Sequence, residues 1–162
     1  MRLQTVLPCL ALCMLAACTN PASTPPAGLA PGESPSGAAP HSARQARGIP
    51  WRLEDLDQTG IIDRSRITLL LGNDGRASGM AGCNRYTAAY TLDDATLAID
   101  PRIASTRMAC AAEAMMYQEQ RYFELLPLMD RAVVDATGAL ILTGKGGVSM
   151  KFYPDEDAGQ AP

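Results

Sequence analysis

Histidine is almost absent from this 162-residue chain, and its single instance, His41, falls in a stretch rich in Pro, Ala, Ser and Gly. That absence excludes Ser-His and Cys-His nucleophile pairs from any folded part. It equally excludes zinc sites built on imidazole. Basic charge is also in short supply: 14 Lys and Arg against 17 Asp and Glu give a net charge of −3. No basic face is available to displace counterions from nucleic acid, so none is expected as a partner. Long apolar runs are missing too. The longest, Val6 to Leu15, is interrupted by Pro8 and falls short of the roughly 20 residues needed to span a bilayer.

What is present begins with that short apolar segment. Arg2 precedes it and small residues follow, which predicts a secretory signal peptide over residues 1–17. The end of the segment, Leu15-Ala16-Ala17-Cys18, resembles the lipobox of bacterial lipoproteins. The resemblance implies cleavage before Cys18, lipid on its thiol, and a fatty acid such as palmitate on the new amino group. The alternative is an ordinary signal peptide with a chance cysteine. Residues 18–48 contain almost no large apolar side chain and cannot offset the entropy of ordering, so they read as a disordered, semi-extended tether. Thr19 in place of Asp implies, for a Gram-negative host, an outer-membrane address. The expected location is the periplasmic face of that membrane, held there by the lipid.

From Ile49 the texture changes to short apolar segments between turn residues, enough for one core. Trp51 to Leu56 begins with alternation and predicts a strand, with Trp51 read as a core anchor rather than a ligand platform. Arg66 to Leu71 is β-branched and apolar. It ends at Gly72-Asn73-Asp74-Gly75, a hairpin signal, with Arg76 to Met80 as the return strand. Gly79 to Tyr86 marks a sharp turn or bulge. Neither Gly72–Gly79 nor Gly144–Gly147 has the spacing of a phosphate loop. Tyr86, Ala88, Tyr90 and Leu92 alternate onto one face of a further strand, and Thr96 to Ile99 gives another. Residues 111–126, rich in Ala, Glu, Gln and Met, predict an amphipathic helix stopped at Pro127, with Ala112, Met115, Met116, Tyr122, Phe123 and Leu126 facing the core. Residues 139–142 and 149–153 predict two closing strands. The acidic end, residues 155–162, is expected to fray into solvent. The sum is an α+β domain over residues 49–154, mostly antiparallel β, as a small cracked barrel-like sheet with one inserted helix.

Five cysteines sort by position. Cys9 and Cys13 leave with the signal and Cys18 takes lipid, so the domain keeps Cys83 and Cys110. In an oxidising compartment the pair suits a disulfide closing a loop of about 27 residues, worth roughly 3.5 kcal/mol in the chain-entropy model. Two buried thiols acting as small hydrophobes are the other reading. A lone Cys83 nucleophile, with Arg85 lowering its pKa, is a third.

Trp51-x-Leu53, then Ser78-Gly79-Met80-Ala81-Gly82-Cys83-Asn84-Arg85-Tyr86, then Tyr90, then Ala104-Ser105-Thr106-Arg107-Met108-Ala109-Cys110 closely resemble the META/HslJ-like domain of bacterial envelope proteins. Trp51, Gly79, Gly82, Asn84, Arg85, Thr106 and Arg107 carry the motif. The helix with Glu119 and Phe123 and the strand with Leu140 and Leu142 follow in the family's order, while Ala88 stands where the family commonly has Gly. The resemblance implies a heat- or stress-linked lipoprotein, associated with novobiocin tolerance, and it brings no catalytic residue, metal or cofactor. The expected function is therefore non-enzymatic support of envelope integrity or stress tolerance, through an unidentified envelope protein partner. The alternatives are a barrel that binds a hydrophobic ligand or peptide, and a hydrolase or redox enzyme using Cys83 and Cys110.

Overall fold

Short segments, most of alternating burial, form nine strands among the described residues, and their pairing closes a barrel. The computed structural model describes residues 43–158. The expected signal peptide, Cys18 and most of the tether lie outside the described residues, as do residues 159–162. The strands are β1 (Pro50–Leu56), β2 (Thr68–Leu71), β3 (Arg76–Met80), β4 (Arg85–Asp93), β5 (Thr96–Ile99), β6 (Ala104–Ser105), β7 (Met129–Val134), β8 (Leu140–Gly144) and β9 (Ser149–Pro154). Helix α1 (Glu113–Leu125) sits between β6 and β7 and runs into a 3-10 turn, Leu126–Leu128. Eight strands follow the order β3-β2-β1-β9-β8-β7-β5-β4, all antiparallel, and β4 pairs back onto β3 to complete the ring. The two-residue β6 pairs on the far side of β4, with Tyr86 opposite Ser105.

The α+β, barrel-like expectation holds, and so does the crack. β5 and β7 share one strand-pair position, Thr96 with Arg131, plus a bond from Ala132 N–H to the Ala95 carbonyl at 2.9 Å. The 3-10 turn after α1 packs against β5 beyond that point, so helix and turn cover what the ladder leaves open.

The barrel is filled by its own side chains. Trp51, Leu53, Leu69, Tyr122, Leu140 and Phe152 are fully buried, and on β4 Tyr86, Ala88, Tyr90 and Leu92 all face inward, as their alternation predicts. Trp51 is the anchor expected of it. Its indole N–H donates to the Ala46 carbonyl at 2.8 Å in a buried setting. Tyr122 from α1 meets Tyr86 hydroxyl to hydroxyl at 2.7 Å, and Tyr86 also donates to the Thr68 carbonyl at 3.0 Å.

Four expectations need correction. The packed domain starts before Ile49: residues 43–46, assigned to the tether, form a 3-10 turn with Ala43 and Ala46 buried. Small side chains fit beneath Trp51 there, and Arg47 donates to the Leu92 carbonyl at 2.6 Å. Asp155, assigned to a fraying tail, is buried and paired with Arg66 at 2.7 Å. The helix is shorter than expected, and its methionines are not core: Met116 is exposed and Met115 half-buried, while Tyr122 and Leu125 are the buried residues of α1. Only its last turns reach the barrel. β7 was not anticipated at all, because Met129-Asp130-Arg131 breaks the alternation with two exposed charges next to a register shift.

Gly79 shows why the β2–β3 seam has its shape. A Cβ at this position would lie 2.0 Å from the Thr68 carbonyl oxygen, a backbone atom that cannot swing away. The Met80 N–H bonds instead to the Thr68 hydroxyl at 3.0 Å. Gly79→Ala should therefore cost about 2–3 kcal/mol by forcing strands apart, whereas Ser78→Ala on the outer face should be near neutral; urea denaturation of both variants checks this. The tyrosine pair generates a pH prediction. Burial first, and then the neighbouring Tyr122 phenol, raises Tyr86 well above its ordinary value near 10, and burial likewise raises Tyr122. A group whose folded-state pKa is raised contributes stability in full below the unfolded value and loses it as pH climbs toward the folded one. The melting temperature should thus be insensitive to these groups up to about pH 10 and fall above it. Tyr122→Phe should flatten that alkaline decline, as read from melting curves between pH 8 and 12.

Candidate functional site

Of the residues singled out by motif, all but Trp51 gather towards one end of the barrel. Strand directions place residues 43–50 and the β2–β3, β4–β5 and β7–β8 connections at one end. The β3–β4 turn, β6, the disulfide and α1 lie at the other.

The β3–β4 turn is built by Gly82, whose φ of +118° is open to glycine and disfavoured for L side chains, and the Ala81 N–H closes the turn onto the Asn84 carbonyl at 2.8 Å. This turn brings Asn84 inward, where it is buried. Its carboxamide is used on every side. Nδ2 donates to Glu119 Oε1 at 2.7 Å and to the Met108 carbonyl at 3.2 Å. Oδ1 accepts from the Thr106 hydroxyl at 2.8 Å and from the Met108 N–H at 2.7 Å. The second Glu119 oxygen accepts from the Asn84 backbone N–H at 3.0 Å. Thr106 Oγ1 in turn accepts from the Arg85 N–H at 3.1 Å. One amide thus joins the turn, the strand after β6 and the helix.

Beside it, Cys83 and Cys110 are bridged, with Cα atoms 5.7 Å apart. Of the three open readings, the structure has the disulfide. Its loop contains β4, β5 and β6 and clamps the approach to α1 onto the β3–β4 turn. Cys83, Cys110 and Glu119 place three ligand-type atoms within 4.8 Å of one another. Bridged sulfurs are not thiolates, however, and thiolate is the form that binds a metal or attacks a carbon. In this oxidised state the cluster offers one half-buried carboxylate, already engaged by Asn84.

The motif residues therefore divide. Trp51, Gly79, Gly82, Asn84 and Thr106 each have a packing or hydrogen-bond duty. Arg85 and Arg107 are exposed; Arg107 borders a shallow depression with Thr106, Glu119 and Phe123. Sequence reasoning placed Glu119 on the helix but did not assign it as the partner of Asn84. A lone Glu at helical spacing gives no sign of what faces it across a fold.

Because Asn84 has no spare hydrogen-bonding capacity, the isosteric Asn84→Asp sets a carboxylate against Glu119 and should cost about 2–4 kcal/mol. The double variant Asn84→Asp/Glu119→Gln should recover part of that loss, as measured by a double-mutant cycle. Reduction should lower stability by roughly 3.5 kcal/mol, and thiol counting on the unfolded, unreduced domain should find neither Cys83 nor Cys110 free.

A family model described as the META domain matches residues 45–157. An NMR structure of a protein from Burkholderia xenovorans is similar, with 27% identity over 82% of this chain and 99% of that chain and a TM-score of 0.61. No curated protein matches significantly. The match runs from the 3-10 turn beneath Trp51 to the turn that holds Asp155, which is the whole packed barrel, and the chain belongs to the META domain family.

Proposed function

We propose that this META domain protein is a non-enzymatic lipoprotein of the outer membrane, anchored through Cys18, that supports envelope integrity under heat, detergent or antibiotic stress. The observation that carries the reading is Leu15-Ala16-Ala17-Cys18 followed by a Pro-, Ala- and Ser-rich tether. Three further features support it. The domain relies on a disulfide, which persists in an oxidising compartment. The polar cluster at the motif is consumed by internal hydrogen bonds, an arrangement that builds a rigid platform rather than a reaction centre. The first described residues, 43–50, lie at the barrel end opposite α1 and the disulfide, so the exposed Arg107 and the outer face of α1 point away from where the chain enters the domain.

The alternative of a barrel holding a hydrophobic ligand inside is less favoured, because Trp51, Leu53, Leu69, Tyr122 and Phe152 already occupy the interior. Among the described residues, no helix is long and apolar enough to cross a membrane.

The test is Cys18→Ser. The variant should run as unprocessed precursor and fail to incorporate labelled palmitate. A strain lacking the gene should be sensitised to novobiocin, detergent and heat, and the wild type, but not Cys18→Ser, should restore tolerance. A deletion strain indistinguishable from wild type under all three stresses would overturn the proposed role, and palmitate labelling of Cys18→Ser would overturn the anchor.

A further inference from the structure

Cys83 in the β3–β4 turn, Cys110 on the approach to α1 and Glu119 within α1 meet at one point. Two sulfurs and a carboxylate oxygen lie there within 4.8 Å of one another, on three half-buried residues. The neighbouring residues 104–109 are exposed, so an ion or a small reductant can reach the group from solvent. The Cα atoms of the two cysteines are 5.7 Å apart. That spacing holds a disulfide, and once the bond is opened it lets two thiolates stand about 3.8 Å apart, the edge of a tetrahedral zinc site.

Glu119 keeps acceptor capacity beyond its bonds to Asn84. A carboxylate has about four lone-pair positions, and Asn84 takes one on each oxygen, through its backbone N–H and its Nδ2. Those two bonds hold the carboxylate against the sulfurs, with Oε2 3.8 Å from Cys83 Sγ. On tetrahedral zinc, with Zn–S about 2.3 Å and Zn–O about 2.0 Å, a sulfur and an oxygen stand about 3.5 Å apart. Asn84 Nδ2 also lies 3.4 Å from Cys83 Sγ, where an amide hydrogen favours thiolate and orients it as a ligand. Opening the bridge does not scatter these groups. The bonds from Asn84 to Glu119, Thr106 and Met108 tie the same three segments together without using sulfur.

We propose that the reduced protein binds one zinc ion through the thiolates of Cys83 and Cys110 and the carboxylate of Glu119, and that the disulfide closes this site. Water fills the fourth position. The exchange balances. A dithiol reductant becomes a disulfide as the Cys83–Cys110 bond becomes two thiols, and zinc then displaces their two protons to solvent. Every newly made chain also passes through the dithiol state before its bridge forms. Two thiolates disfavour the hard cations calcium and magnesium, which take oxygen ligands. The mixed sulfur and oxygen set suits zinc, which accepts both. The site is on the domain itself and does not depend on the lipid anchor.

The test uses the purified full-length protein in detergent, either oxidised or reduced with a phosphine that is then removed. After dialysis against about 1 μM zinc, the reduced wild type should hold one zinc per chain and the oxidised protein none. Cobalt in place of zinc should give the visible absorption of a tetrahedral ion and a near-ultraviolet thiolate-to-cobalt band. Glu119→Gln keeps both sulfurs and should keep that band at saturating cobalt, yet bind zinc about tenfold or more weakly. Cys83→Ala/Cys110→Ala retains every other cysteine of the chain and should hold no zinc. Glu124→Gln, on the same helix, should match wild type. Zinc should raise the melting temperature of the reduced wild type and leave that of the double variant unmoved, which separates lost binding from lost fold. No zinc on the reduced wild type, equal zinc on the oxidised protein, or undiminished affinity in Glu119→Gln would overturn the site. One zinc per two chains would overturn it as well, by placing the ion between molecules.

Discussion

The helix-bearing end of this barrel depends on the carboxamide of Asn84. A buried amide that satisfies both hydrogens and both lone pairs is worth more than four separate contacts, because losing any partner leaves a polar group stranded in a low-dielectric setting. Its partners come from the β3–β4 turn, the segment after β6, and α1, three pieces far apart in the chain. None of them is held there by apolar burial alone. The first half of α1 is largely solvent-facing, and β6 is a two-residue strand with both residues exposed. Disulfide and amide together compensate for a weak local core. The bridge restricts the unfolded chain, while the amide selects one arrangement of the folded one.

The rest of the barrel follows a simpler rule. Alternating inward residues from eight strands fill the interior, and the β5–β7 seam, joined at a single pair position, is covered rather than zipped. Gly79 lets β3 come close enough to β2 for the Tyr86 hydroxyl to reach the Thr68 carbonyl, and Tyr86 then holds Tyr122 of the helix. A motif that looks like a chemical signature in one dimension is thus a set of joints in three.

Legibility followed the range of the interaction. The strands at Trp51, Tyr86 and Thr96 could be read because period-two burial is written into adjacent residues, and Arg76 to Met80 because the Gly72–Gly75 turn announces a return strand. β7 could not, since its exposed Asp130 and Arg131 break that period at a bulge. Met115 and Met116 misled because helical spacing says which residues share a face and not how much of the helix touches anything. At the site, the Cys83–Cys110 alternatives were visible and the choice was not, since it required Cα atoms 5.7 Å apart. Glu119 was visible as a residue and invisible as a partner. Asp155 read as tail because nothing near it in sequence announces Arg66, 89 positions earlier.

By itself, the sequence determined a slightly acidic chain whose domain holds no histidine, and it pointed to one core of short strands with a late helix. These follow from composition and from periodicities of two and 3.6 residues, which are local properties of a chain. Tertiary structure alone decided that β1 meets β9, that Asn84 meets Glu119, and that the cysteines join. Each of those depends on groups more than twenty residues apart arriving within a few ångströms. Only the packing of the whole barrel sets such distances.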